Sequence, residues 1–185
     1  MSRDLQLLAD FKSIFAEEKI TACYTGASND QFDIVENNGV SCMVQNTEPS
    51  FRIKNSKQFL VHFIAVDQCL ISSSSGYKGK RNDCVLFNEL DFCFVELKLD
   101  VASIKHRSER TSEAVEQIGA TIEHFVERFN HHAKDFKSFG FNYEAYIVFR
   151  TKIYPRDSAA AKNRKVKFAE RYNVKLFEQN WKEFT

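Results

Sequence analysis

The chain is poor in the residues that loosen or break structure. Only 6 of its 185 residues are Gly and 2 are Pro, a balance that excludes a linker-rich or disordered chain and favours packed sheet and helix. Long hydrophobic runs are also missing. None approaches the roughly 20 residues that span a bilayer. The N-terminal MSRDLQLLADFKSIF is amphipathic and acidic and lacks the apolar block of a signal peptide. The five cysteines (Cys23, Cys42, Cys69, Cys84, Cys93) are odd in number and contain no CxxC pair. That usage predicts a reducing, cytoplasmic location with no disulfide framework and no structural zinc. His131-His132 has no Cys or carboxylate at zinc spacing and reads as a solvated helix end. Asp30, Asp33 and Glu36 lack the Gly and the spacing of a calcium loop and read as a solvated turn. There is no internal repeat and no convincing linker, so residues 1–185 are expected to form one domain.

What is present is ordinary for a folded domain, apart from an excess of Phe. Hydrophobic residues make up 43% and charged residues 28%, and 18 residues are Phe. The net charge of +1 hides a segregation: residues 1–50 carry eight acidic and three basic side chains, whereas residues 151–175 carry eight basic and two acidic ones. Such asymmetry suits a surface that faces a polyanion. Apolar periodicity predicts a helix over 3–18, and QFDIV and VSCMVQ read as strands around the NNG turn. FRIKN reads as another strand. The apolar run 58–71 fits either a strand or a helix, and SSSSGYKGKR is a polar loop. DVASIKHRSER reads as a polar connection, followed by the strongest helix, TSEAVEQIGATIEHFVERFNHH, with its apolar stripe of Val115, Ile118, Ile122, Phe125, Val126 and Phe129. A strand over 143–150, a basic helix from Asp157 to Asn173 and a short strand VKLFE close the chain. Helix, strands, helix, strand, helix and strand in this order imply a layered α/β or α+β domain.

The stretch RNDCVLFNELDFCFVELK carries the chemistry. Two apolar runs flank the polar Asn88-Glu89-Leu90-Asp91, so a hairpin turning there pairs Phe87 with Phe92 and Val85 with Phe94. Continued outward, that register sets Asp83 opposite Glu96, and strand alternation puts Asp83, Glu96 and Lys98 on one face. Near the turn both faces are apolar, as in a central strand covered on both sides. Only the far end becomes charged. Two facing carboxylates repel and resist ionisation when desolvated, and a divalent cation relieves both problems. Mg²⁺ favours such oxygen ligands and keeps several waters. A neighbouring ammonium suits the charge that develops on a phosphoryl group.

An Asp followed about a dozen residues later by ELK at the end of an apolar strand resembles the PD-(D/E)xK nuclease superfamily. The resemblance implies a restriction-endonuclease-like core in an α/β fold: a central mixed β-sheet flanked by helices, here with N-terminal strand additions. It covers residues 3–18 and roughly 60–150. It further implies that Asp83 and Glu96 bind Mg²⁺ (or Mn²⁺), with the Leu97 carbonyl as a further ligand, and that Lys98 serves the attacking water. Gln117 falls where some members carry a helical Gln, and Glu17 or Glu18 where others add an acid from the first helix. Asn82 stands where the motif has Pro. Thr121 stands where an exonuclease-like Gln-x-x-x-Tyr signature would have Tyr, so that signature is absent.

Basic residues flank this motif in sequence: Lys78, Lys80 and Arg81 before Asp83, then Lys105, Arg107 and Arg110 after Lys98. Lys162, Arg164, Lys165 and Lys167 lie on the late basic helix. They are the candidate contacts to a nucleic-acid backbone, whose recognition is largely sequence-independent. The leading expectation is therefore a metal-dependent nuclease acting on DNA, with no membrane association. Family resemblance suggests a homodimer or a partner protein in restriction, antiviral defence, mobile-element processing or junction resolution. Two other readings stand beside it: a catalytically inactive member of the same fold that binds nucleic acid or a partner, and a protein-interaction domain using the basic helix.

Overall fold

Two sheets and a layer of helices build the structure, a computed structural model that describes residues 1–44, 51–72, 77–99, 104–149 and 158–185. The elements are α1 (Arg3–Phe15), α2 (Glu17–Cys23), β1 (Tyr24–Ala27), β2 (Gln31–Asn37), β3 (Val40–Val44), β4 (Phe51–Lys54), β5 (Val61–Ala65), β6 (Cys84–Phe87), β7 (Asp91–Lys98), α3 (Ile104–His131), β8 (Asn142–Phe149), α4 (Ala159–Tyr172), β9 (Lys175–Glu178) and β10 (Trp181–Glu183). The large sheet runs β1-β5-β6-β7-β8-β9 and the small one β10-β4-β2-β3. β5, β6 and β7 form an antiparallel meander, α3 crosses over, and β8 returns parallel to β7. The large sheet is therefore mixed, and the fold is α/β.

Each face of the large sheet has its own cover. Phe87, Phe92, Phe94 and Ile147 point toward a core shared with Phe11, Ile118, Phe125 and Phe168 from α1, α3 and α4. Leu86, Cys93, Val95 and Val148 point the other way, against Phe32, Ile34, Phe51, Ile53 and Phe184. All helices in these two cores thus pack on one face, and the small sheet fills the position that a second helical layer would take. This is why β6 and β7 are apolar on both sides: every residue of both strands is buried.

The predicted helix over 3–18 is two helices. Ala16 adopts φ 73° and stops α1, and the chain restarts as α2 so that Ile20 and Cys23 turn inward. The ambiguous run 58–71 is β5 followed by a turn. The polar connection after Lys98 is shorter than expected, because helix begins at Ile104; residues 100–103 lie outside the described residues, as do 73–76 of the polar loop. β10 was not legible in the sequence. It adds in parallel to β4 and ties the C-terminal strand to the small sheet. Asp33, expected in a solvated turn, is fully buried on β2 and accepts a 3.1 Å bond from Arg52 Nε. The expectation of no disulfide is corrected as well. Cys23 and Cys69 are bonded across 46 residues, joining the end of α2 to the turn after β5. Spacing in the sequence gives no sign of a pair that packing alone brings together.

The helix-side core is dominated by aromatic rings. Phe11 meets Phe15, Phe87, Phe125, Phe129 and Phe136 at centroid distances of 5.2–6.5 Å and is fully buried. Phe11→Ala is expected to cost about 3–5 kcal/mol, the range for truncating a buried Phe. Urea unfolding of the two proteins measures the difference, and a loss under 1 kcal/mol would show that this cluster does not anchor the fold.

Candidate functional site

The hairpin register is the one the turn dictates. Phe87 pairs with Phe92, Val85 with Phe94 and Cys84 with Val95. The turn closes because Asn88 Oδ1 accepts from the N–H groups of Leu90 and Asp91. The ladder stops one pair short of Asp83, however, so Asp83 and Glu96 are not a ladder pair. Side chains replace the backbone there. Asn82 Nδ2 donates to the carbonyls of Cys84 (2.6 Å) and Val95 (3.0 Å), and the Leu97 N–H donates to Asp83 Oδ2 (2.5 Å). The Asn82 N–H in turn donates to Thr121 Oγ1 on α3 (2.9 Å). Asn82 and Thr121, the two departures from the family pattern, together hold the segment that carries Asp83. The Asp83 carbonyl accepts from the Val66 N–H (2.8 Å) and, at 3.3 Å, from the Asp67 N–H.

Glu96 and Lys98 follow on β7, on the helix-facing side. Lys98 Nζ lies 2.8 Å from Glu96 Oε1 and donates to Gln117 Oε1 on α3 at 2.6 Å. Gln117 Nε2 donates back to the Arg81 carbonyl (3.1 Å). Asp83, Glu96, Lys98 and Gln117 are thus gathered at one end of the central strands, between the sheet and α3. The ion pair is not a surface one: Glu96 is 1% and Lys98 9% exposed. Leu97 faces the opposite core with its side chain. Its C=O shares the direction of its N–H along a strand, and so faces Asp83.

The electrostatics of this cluster are unbalanced. Burial pushes the Asp83 carboxyl up to about 7, against the opposing Leu97 N–H and Lys98, while Glu36 and Asp67 push it further the same way. Burial also drives Glu96 well above the ordinary carboxylate range, and the charge of Asp83 adds to it. Glu96 Oε2 is buried with no hydrogen-bond partner. One ammonium faces two desolvated carboxylates, and one oxygen is left unsatisfied. These features fit a divalent cation held by Asp83, Glu96 and the Leu97 carbonyl. Among the described residues no group of three or more His, Cys, Asp or Glu side chains could hold a metal. A cation here would therefore keep several waters.

The remaining candidates divide. Glu17 and Glu18 are exposed in the first turn of α2, and Glu17 pairs with Lys12 at 3.5 Å; the acids that act on Asp83 are Glu36 and Asp67 instead. Asp67 pairs with Arg81. Lys80 pairs with Glu116 and Arg110 with Glu113, both acids on α3. Arg107 is buried over the Phe149 ring, 4.3 Å from its centroid and 3.8 Å from Glu178, and so packs the fold rather than a ligand. Arg164 pairs with Glu178 at 3.1 Å. Lys78, Lys162 and Lys167 are exposed and Lys165 is half-buried; the Lys105 side chain lies outside the described residues. No helix among the described residues is long and apolar enough to cross a membrane. Comparison with known proteins finds no matching family model, no matching curated protein and no matching solved structure.

The raised carboxyl of Asp83 has a thermodynamic consequence. The folded state keeps a proton that the unfolded chain releases near its ordinary 3.8, so stability falls as pH rises from about 4 to about 7. Asp83→Asn is expected to flatten that fall and to exceed wild type in stability at pH 8, by at most about 4 kcal/mol at 1.36 kcal/mol per pKa unit. Urea titrations at pH 5 and pH 8 read it directly. At pH 8, millimolar Mg²⁺ or Mn²⁺ is expected to raise the melting temperature of wild type and not that of Glu96→Gln.

Proposed function

We propose that the protein is a metal-dependent nuclease hydrolysing phosphodiester bonds of DNA, with a PD-(D/E)xK-type site and a restriction-endonuclease-like core. The observation that carries the reading is the pair of desolvated carboxylates, Asp83 and Glu96, that share the single amine of Lys98 at a strand end. A partnerless buried carboxylate oxygen also occurs in the ion pairs Asp33–Arg52 and Asp4–His62, so it is the excess of acid over base, not the orphaned oxygen, that matches a catalytic task. The order α1, β5-β6-β7 meander, α3, β8 is also the order such a core requires.

In this reading Asp83, Glu96 and the Leu97 carbonyl hold Mg²⁺ or Mn²⁺, which when bound supplies Lewis acidity toward the phosphate and a more acidic water. Lys98 has three donors. Glu96 and Gln117 take two, and the third orients the attacking water and offsets charge on the phosphoryl group. Gln117 positions the amine, and its own amide is fixed by the Arg81 carbonyl. Water oxygen joins phosphorus, the ester P–O bond breaks, and the proton ends on the departing alkoxide. Lys80, Arg81 and Arg110, each paired with an acid, border the site and would exchange those partners for backbone phosphates.

Plasmid incubated with Mg²⁺ or Mn²⁺ tests the proposal. Wild type is expected to cut, Lys98→Ala and Glu96→Gln to lose at least about 100-fold in rate, and chelation to stop the reaction. Cutting that survives Lys98→Ala would remove the assignment. A parallel RNA digest tests the preference for DNA.

A further inference from the structure

A second concavity lies beyond the turn that holds Asp83. This cavity, of about 150 Å³, is lined by Phe15, Lys19, Leu70, Ile71, Tyr77, His124 and Arg128. Among the described residues, every ionisable group on its wall apart from the Tyr77 hydroxyl is a base, and none is a carboxylate. Arg128, like Arg3 on the Gly140 carbonyl and the Phe141 ring, is held without an acid. Arg81, Arg107, Arg110 and Arg164 all meet acids. Arg128 instead donates to the Ile14 carbonyl (2.7 Å) and lies 5.5 Å over the Phe15 ring. A carbonyl and a ring fix its position without cancelling its charge. No acid among the described residues forms an ion pair with Arg128 or Lys19. His124 sits against Tyr77, ring centroids 4.3 Å apart, and its Nδ1 is buried without a partner.

Two independent paths place this cavity on the same rim as the candidate active site. Val66 and Asp67 donate to the Asp83 carbonyl, and Leu70 and Ile71 of the same turn form the cavity wall. Gln117, which holds Lys98, and His124 are seven residues apart on α3, about two turns, and share one face about 10 Å apart at ~1.5 Å per residue.

We propose that Lys19, His124 and Arg128 form a subsite for one phosphate group of the nucleic-acid strand, a few nucleotides from the phosphate being cut. Three nitrogen-bearing side chains around a half-open cavity with no carboxylate among its described lining residues suit a compact oxyanion, and the location selects the backbone of a strand already bound at Asp83 and Lys98. The assignment to a strand rests on the nuclease reading; the anion site itself does not.

The test has two arms on the full chain. Inorganic phosphate is titrated while the His124 ring is followed by NMR. Burial and the Arg128 charge hold this imidazole below its ordinary range, Glu127 opposes them, and Lys19, Tyr77 and Glu123 lie around it. Phosphate is expected to shift the ring resonances saturably and to raise the pH of its titration. Lys19→Gln and Arg128→Gln should each weaken the response about 10-fold, and Lys98→Ala should leave it intact. In the second arm, Arg128→Gln and Lys19→Gln are expected to weaken binding of a random-sequence DNA duplex about 10-fold, with a salt slope smaller by about one. Lys19 is exposed, so its variant is readable even if loss of the Arg128–Ile14 contact unfolds the other. A His124 ring indifferent to phosphate overturns the site. A phosphate response with unchanged DNA affinity overturns its assignment to the strand. A wild type that binds DNA through these residues yet never cuts supports the subsite and removes the nuclease reading instead.

Discussion

Desolvated charge at the end of a strand buried on both faces is the constraint from which the rest follows. β7 is covered by helices on one side and by the small sheet on the other, so Glu96 is almost wholly shielded from bulk water and Lys98 reaches it only in part. An isolated carboxylate in such a place is costly, and one ammonium cannot neutralise two of them. The surrounding structure is organised to hold this imbalance in place. Asn82 and Thr121 cap the ladder, the Leu97 N–H grips Asp83, and Gln117 grips Lys98.

The opposite end of the same strand shows what a satisfied cluster looks like. Asp91 opens β7, and Lys182 Nζ from β10 sits 2.9 Å from its Oδ2 and 2.8 Å from Glu144 Oε2. The Asn142 amide donates to Asp91 Oδ1, and Tyr146 donates to Glu144 Oε2. Despite burial, these acids hold the Lys182 ammonium well above its ordinary range. This network has no buried carboxylate oxygen without a partner and ties the C-terminal strand to the large sheet. Two charged clusters on one strand thus differ in charge balance: one is complete, the other lacks positive charge, which is the mark of a candidate site.

Much of this was legible in the sequence because it depended on period-2 alternation and one turn. Asn88 to Asp91 is the only polar break between two apolar runs, so the register and the shared face of Glu96 and Lys98 followed directly. Gln117 was reached through the family resemblance, which puts a Gln on the helix after the Lys strand, and not from the hydrophobic pattern. Other features were hidden because they depend on packing between distant segments. Nothing local announces that Ala16 breaks the first helix, that β10 joins β4, or that Cys23 meets Cys69. Asp33 looked solvated because a buried acid and its Arg52 partner are 19 residues apart. The exact end of the β6–β7 ladder was hidden too, because an Asn side chain replacing backbone hydrogen bonds leaves no pattern in hydrophobicity.

The basic residues show where sequence proximity misleads most. Residues near the motif in the chain drew attention as phosphate contacts, yet a cation's availability depends on its partners in space. Arg107 follows the Lys98 strand closely and is nevertheless spent on Phe149 and Glu178. Arg128 lies thirty positions after Lys98 in the chain, but α3 folds it back toward α1, where it meets a carbonyl and a ring instead of an acid. Coulomb attraction to a polyanion scales with uncompensated charge, not with the number of Lys and Arg letters. For the same reason, the positive potential of the acid-paired Lys80, Arg81 and Arg110 is largely cancelled by Glu116, Asp67 and Glu113. Under the proposed function, phosphates would have to displace those acids, whereas Arg128, fixed by a carbonyl and a ring, would meet a phosphate with its charge uncompensated.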